Sequence, residues 1–319
     1  MSDWSRSELE TEEGVLDPWV AQWLKENDVT IEEFSPELLA LARGSFDIPI
    51  SREIARVHDE AIAGVSVRIY EHSMAPTGLI VYIHGGGFCI GSVALMDNVA
   101  RELAHATGAA VVSVEYRLAP EHPYPAGLDD VEAVTRWALV NAQTLGGRQG
   151  RVIVAGESAG GNLAAAAALR LRDSGIRGPI GQVLIYPVLD ATGAPHGSRN
   201  EFAGVVISEE MSQFFWTSYG GGRDIDNDPY AAPLHARSLA DLPPALVVLG
   251  GCDYLRDEGR AYARRLNEAG VQTEEVCFPG QPHGFMNMEF PAAGDAYITV
   301  GRWVRALFAS PTAEDQTSD

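Results

Sequence analysis

Residues 151–169 read RVIVAGESAGGNLAAAAAL, an apolar run, a short glycine-bounded turn and an alanine-rich segment in immediate succession. RVIVAGE (151–157) predicts a buried strand, and Ala159 to Asp173 predicts a helix by alanine propensity. Between them Gly156-Glu157-Ser158-Ala159-Gly160 fits the pattern G-x-S-x-G. Its glycines allow a tight strand-to-helix turn that lifts the serine hydroxyl clear of the backbone. The helix that follows offers free N–H groups and a positive dipole end to a developing oxyanion. Five residues alone also describe an ordinary glycine-rich helix start, so the flanking strand and helix carry the weight.

Outward from this stretch the same alternation continues. Strand-like runs are VSVRIY (65–70), LIVYIH (79–84), AVVSVEY (110–116), QVLIYPV (182–188), ALVVLG (245–250) and TEEVCF (273–278). Helical segments are expected near Met96 to Thr107, Leu128 to Leu145, Glu258 to Ala269 and Gly294 to Phe308. Apolar strands alternating with helices imply an α/β fold, a mostly parallel central sheet flanked by helices on both faces. The stretch from Leu189 to Leu242 breaks the order. It holds an aromatic, helix-like segment from Ser208 to Tyr219, and an insertion of this length is usually a functional lid. Residues 1–45 carry Trp4, Trp19, Trp23, Phe34 and Leu38 to Leu41 among carboxylates. The Trp19, Trp23 spacing and the start signal Ser35-Pro36-Glu37 read as two amphipathic helices. The tail PTAEDQTSD (311–319) is polar and expected to fray.

Composition narrows the function. The 319 residues carry 44 acidic against 23 basic side chains, a formal charge of −21, with Lys25 the single lysine. Such a surface repels phosphate backbones and anionic headgroups, which argues against nucleic-acid or membrane partners. Cys89, Cys252 and Cys277 are odd in number and lack metal-ligand spacing, so neither a disulfide framework nor a metal is expected. Free thiols suit a reducing cytoplasm. The acidic N-terminus has no apolar run of a secretory signal, and the most apolar helical stretch, Leu163 to Leu169, is too short to span a bilayer.

Two further motifs complete a chemistry. His84-Gly85-Gly86-Gly87 follows the strand LIVYI, and consecutive glycines let backbone N–H groups approach a ligand closely. Two such donors with the N–H of Ala159 would surround a tetrahedral oxygen, each donor worth about 2.7–4 kcal/mol in the transition state. A serine hydroxyl needs a positioned base, and His283, in Gln281-Pro282-His283-Gly284-Phe285, lies on a loop after a late strand. His84 is expected to brace the glycine turn instead. The acid belongs between serine and histidine in chain order. Asp253 falls just beyond the strand ending at Gly250; Asp257, directly before a helix, suits an N-cap, so placement favours Asp253 without removing the alternative. Glu157 is expected to point away from the nucleophile and support nearby loops.

Together these residues resemble the hormone-sensitive-lipase-like family of bacterial esterases within the α/β-hydrolases, over about residues 60–310. The resemblance rests on His84-Gly85-Gly86-Gly87, on Tyr116-Arg117-Leu118-Ala119-Pro120-Glu121-His122-Pro123, and on the turn at 156–160. Asp228-Pro229-Tyr230, the segment Asp253 to Gly259 and His283-Gly284-Phe285 extend it. It implies a triad of Ser158, Asp253 and His283 and an oxyanion hole from the backbones of Gly85, Gly86 and Ala159. It also implies a cap of N-terminal helices (1–45) and an insertion at about 190–225, set on a catalytic domain spanning 46–319. Glu157 departs from a common subgroup, which carries aspartate there.

The expected reaction is hydrolysis of small-molecule esters with short to medium acyl chains, through an acyl-enzyme and with no cofactor or metal. Phe88, Leu189, Phe214, Phe215, Trp216, Tyr254, Leu255 and Phe285 are candidates for the pocket wall, although aromatic stretches as readily pack a core. A non-catalytic ligand receptor on the same scaffold is one competing class. Amidase, lactonase or acyltransferase chemistry with the same triad is another. A homodimer through a sheet edge or the final helix is compatible with the sequence.

Overall fold

The structure, a computed structural model, describes residues 13–27, 36–44, 48–72, 76–148, 150–288 and 290–310. Trp4, Phe34, Ser35 and the tail at 311–319 lie outside the described residues.

The chain folds around one eight-stranded sheet. Its strands are β1 (Arg56–Ile62), β2 (Val65–Glu71), β3 (Leu79–Ile83), β4 (Ala110–Val114), β5 (Val152–Glu157), β6 (Gly181–Ile185), β7 (Ala245–Gly250) and β8 (Thr273–Phe278). They lie in the order β1-β2-β4-β3-β5-β6-β7-β8. The first two pairings, β1 with β2 and β2 with β4, are antiparallel, and all the others are parallel. The central strands β3, β4, β5, β6 and β7 are buried along their whole length. That explains why each reads as a continuous apolar run and not as an alternating one.

Alternate residues of each central strand feed two cores. Leu79, Val81 and Ile83 of β3 join Val152 and Val154 of β5 on one face, beneath α4 (Ala126–Asn141), α5 (Ala159–Asp173) and α8 (Arg256–Glu268). Ile80, Tyr82, Ile153 and Ala155 face the other way, against α3 (Asp97–Thr107) and α9 (Ala293–Ala309). Helix α1 (Pro18–Asn27) adds Val20 to this second core, and Asp17 starts it by accepting the amides of Trp19 at 2.8 Å and Val20 at 3.3 Å. The rings of Trp19 and Trp23 meet Phe290 edge-on.

Two short helices and a longer one sit over the strand ends. Leu39 of α2 (Pro36–Ala42) packs with Cys89 and Ala119. Arg43, just past α2, donates to the carbonyls of Cys89 and Ala119 at 2.6 Å each and pairs with Glu121 at 2.8 Å. In the insertion, α6 (Gly197–Glu201) is held by Asp257, whose carboxylate accepts the Ser198 amide at 2.8 Å. Helix α7 (Glu209–Gly220) begins at Ser208, whose hydroxyl accepts the Met211 amide. Its aromatic side engages the glycine loop: Phe88 stacks on Tyr219 at 3.8 Å and tilts against Trp216 at 5.4 Å. Among the described residues no helix is long and apolar enough to cross a membrane.

Candidate active site

Three parallel strands deliver the reactive side chains to the same edge of the sheet. Ser158 follows β5 with φ 53° and ψ −119°, a backbone state a side-chain-bearing residue adopts only when its surroundings enforce it. The enforcement is visible at the flanking glycines. A Cβ on Gly156 would collide with the Gly160 carbonyl, and one on Gly160 with the Ile83 carbonyl, so the turn closes only around bare backbone. The Ser158 amide is meanwhile held by the Ile185 carbonyl at 2.9 Å.

His283 and Asp253 arrive on neighbouring loops after β8 and β7. Gly250 and Gly251 let those loops touch: a Cβ on either would overlap backbone of residues 279–282. The Cys252 amide then donates to the Gln281 carbonyl at 3.0 Å. His283 Nε2 lies 2.9 Å from Ser158 Oγ, and His283 Nδ1 lies 2.9 Å from Asp253 Oδ2. The other carboxylate oxygen of Asp253 accepts the Leu255 amide at 2.8 Å, and Asp253 has no exposed surface. Asp257 is engaged elsewhere, with Arg256 at 2.8 Å and the Ser198 amide. Between the two carboxylates left open by the sequence, only Asp253 touches the imidazole.

The glycine loop lies beside the serine. Gly86, Gly87 and Phe88 all have positive φ, 114°, 56° and 65°, a succession that turns consecutive N–H groups toward one concavity. No acceptor among the described residues takes the amides of Gly86, Gly87 or Ala159. The Gly85 amide instead acts on the Glu157 carboxylate, favouring its charged form. Above the serine is a cavity of about 190 Å³, mostly apolar, walled by residues 85–88, Ile90, Met96, Tyr186, Val188, Val206, Ile207, Met211, Ser212, Phe215, Trp216, Leu255 and residues 283–284 and 287–288.

The family model for the α/β-hydrolase fold matches residues 80–287. Esterase LipI of Mycobacterium tuberculosis is 40% identical over 261 residues, covering 78% of this chain and 81% of its own length. The chain belongs to the hormone-sensitive-lipase-like α/β-hydrolases. Carboxylesterase NlhH of the same organism is 40% identical to the hydrolase over 258 residues, 78% of this chain and 79% of its own. Among solved structures, a hyperthermophilic esterase from Pyrobaculum calidifontis aligns with a TM-score of 0.83 at 36% identity, over 93% of the hydrolase and all of that chain.

Of the residues expected to wall the pocket, the hydrolase brings Phe88, Phe215, Trp216 and Leu255 to the cavity. The other four lie elsewhere, each for a packing reason. Leu189 sits in the core under α5 and α8, its amide given to Glu258 at 2.6 Å. Phe214 leans edge-on against Phe215, one residue off the cavity-facing side of α7. Tyr254 is buried beneath the Arg199 guanidinium, with its hydroxyl donated to Glu209. Phe285 is fully buried between Tyr186 and Phe278. The wall residues not anticipated, among them Ile90, Met96, Ile207, Met211, Asn287 and Met288, come from several separate segments and share no motif.

Below the site lies a buried polar knot. Glu157 accepts from the hydroxyls of Tyr82 at 3.0 Å and Tyr186 at 2.7 Å. Burial raises its pKa, and the two tyrosine hydroxyls oppose that rise. The backbone of Tyr186 has φ 34°, and its ring meets the His283 ring edge-on at 4.9 Å. His84 is also wholly buried, its Nδ1 2.7 Å from the Gly85 carbonyl and its ring stacked on Tyr116 at 4.3 Å. Among the described residues no group of three or more His, Cys, Asp or Glu side chains is placed to hold a metal ion.

Proposed function

We propose that the hydrolase cleaves carboxylic esters with short to medium acyl chains through Ser158, His283 and Asp253. The observation that carries this reading is the continuous hydrogen-bonded line Ser158–His283–Asp253 opening into a small apolar cavity. His283 Nε2 accepts the serine proton as Oγ attacks the ester carbonyl, and Asp253 holds the ring through Nδ1–H and stabilises the imidazolium. The carbonyl oxygen becomes an oxyanion facing the amides of Gly86, Gly87 and Ala159. In this scheme Gly85, also expected as a donor, anchors the loop through Glu157. The imidazolium returns its proton to the departing alkoxide, leaving the acyl group on Oγ, and water repeats the sequence to release the acid. The scheme needs no cofactor. The names of the relatives, esterase and carboxylesterase, support ester chemistry. The size and apolarity of the cavity support short chains. The elements α2, α6 and α7, which lie over the strand ends, are proposed to act as its cap together with α1.

The test is hydrolysis of p-nitrophenyl esters from acetate to dodecanoate. Ser158→Ala is expected to lower kcat by roughly 10⁴- to 10⁶-fold. Asp253→Asn should lower it about 10⁴-fold, while Asp257→Asn retains most activity. Equal losses in the two aspartate variants would overturn the assignment of the acid. A folded wild type without ester turnover, and without labelling of Ser158 by a fluorophosphonate, would favour a receptor. Faster turnover of amides or lactones would move the chemistry within the same triad.

A further inference from the structure

A second hollow, of about 530 Å³ and open to solvent along Gly222 to Asp224, lies on the far side of α7 from the serine. The helix is the wall between the two. Met211 and Phe215 face the active-site cavity, and Glu209, Gln213 and Thr217 face the second one. Among the described residues only Ser212 and Trp216 line both. That division is what helical geometry requires: positions 212 and 216 form one ridge, with 211 and 215 about 100° to one side and 213 and 217 about 100° to the other. Trp216 supplies the bulk of the ridge, and its indole is steadied by Phe88 at 5.4 Å and Tyr219 at 6.1 Å. Ser212, one turn earlier, is too small to close the gap alone.

The two cavities differ in chemistry. The first is apolar, whereas Arg199, Glu209, Gln213, Asp224 and Asp226 line the second. Arg199 is 7% exposed, and its Nε has no hydrogen-bond partner among the described residues. Its Nη2 donates to Glu258 at 2.6 Å and to the Asp190 carbonyl at 2.8 Å, and its Nη1 to the Ala194 carbonyl at 3.4 Å. A buried N–H without an acceptor is costly, so an acceptor brought to this residue as the space opens would be favoured.

Resting on the ester-hydrolase reading, we propose that Trp216 is the partition that limits chain length, and that the solvent-open hollow behind it is a subsite shut off from the serine. The subsite suits a chain ending in a hydrogen-bond acceptor such as a hydroxyl or ether oxygen. Removing the indole joins the two spaces, so a chain that now stops at Trp216 passes along Ser212 toward Arg199.

The experiment compares wild type, Trp216→Ala and the more conservative Trp216→Leu on three p-nitrophenyl esters: butyrate, decanoate and 10-hydroxydecanoate. One added methylene in an apolar pocket changes specificity about tenfold or more. The decanoate-to-butyrate ratio of kcat/KM should therefore rise by about tenfold or more in both variants, with a larger rise for the hydroxylated chain. Butyl and decyl acetates repeat the comparison with the chain on the alcohol side. If both variants turn over butyrate and neither series shows a changed ratio, the partition is overturned while the esterase reading stands. A rise for decanoate without any advantage for the hydroxylated chain overturns the polar subsite. Wild type inactive on every ester overturns the esterase reading and this inference with it.

Discussion

The imidazole of His84 has no exposed surface, and its burial pulls the pKa down from about 6.5 to about 4. The neutral ring therefore keeps Nδ1–H for the Gly85 carbonyl and its face for Tyr116, whose hydroxyl in turn donates to the His84 carbonyl at 3.1 Å. Each of these contacts fixes the start of the glycine loop. The consequence for stability has a definite sign. The folded pKa lies below the unfolded one, so between them the unfolded chain binds the extra proton and stability falls as pH falls. The contribution is complete above about pH 6.5 and is lost toward pH 4, for a total of about 3 kcal/mol. His84→Asn keeps a donor for Gly85 without a titrating ring. Urea unfolding at pH 7.5, 6.5 and 5.5 should show wild type weakening more steeply than the variant; parallel slopes would remove His84 as the cause. Asp190 carries the same sign in a lower window. Its carboxylate, bonded to His196 at 2.7 Å and His235 at 2.8 Å, is held far below the ordinary aspartate range, and its contribution is lost only as pH drops below about 4.

At the scale of elements, the sharpest constraint is the approach of α5 to β3. Alanine in place of Gly160 would gain helix propensity of about 1 kcal/mol. Its Cβ, however, would overlap the Ile83 carbonyl and lie 2.5 Å from the His84 carbonyl, both of them backbone and unable to yield. Overlap outweighs propensity, so Gly160→Ala is expected to cost about 3 kcal/mol in urea unfolding and to displace the glycine loop. Gly294→Ala in α9, where nothing lies within 4 Å of the added atom, should be neutral or slightly stabilising. Similar losses at both sites would rule out the close contact as the cause. Local density of this kind also decided what was legible beforehand. The fully buried strands β3, β4, β5 and β7 announce themselves as apolar runs, and the strained serine turn as glycines at fixed offsets. Strand β1, RVHDEAI, does not. Only Ile62 of it is buried, and its hairpin turns through Ala63-Gly64, both with positive φ, where an alanine hides the usual Asn-Gly signal. The helix expected to reach Leu145 stops at Asn141 and continues as a 3₁₀ turn over Ala142–Leu145, a change of hydrogen bonding that composition does not encode. Placement already favoured Asp253 over Asp257, and loop contacts add that it alone of the two meets the imidazole, whereas the pocket wall emerges only where segments far apart in sequence meet.

Across the whole molecule the excess of acidic residues sets a field that no local contact cancels. A charge of −21 on a sphere of about 25 Å radius carries roughly 9 kcal/mol of screened self-repulsion at 0.15 M salt and roughly 4 kcal/mol at 1 M. Salt also weakens ion pairs, but the two losses are unequal. Exposed pairs such as Arg302–Glu274 and Arg56–Glu71 contribute only about 0–1 kcal/mol each. The better-connected ones are shielded from ions: Arg199–Glu258 and Arg101–Asp97 are largely buried. Expansion on unfolding relieves part of the repulsion at low salt, which places the penalty on the folded state. Relief of the net field should therefore win, and Tm should rise by several degrees between 0.05 M and 1 M NaCl. The rise should shrink on lowering pH toward the sequence pI of about 4.7, where little net charge remains to be screened. A Tm that stays flat or falls with NaCl at pH 7 would mean that the individual pairs outweigh the field. A rise of the same size at pH 5 and pH 7 would trace the stabilisation to exclusion of salt from apolar surface instead of to charge.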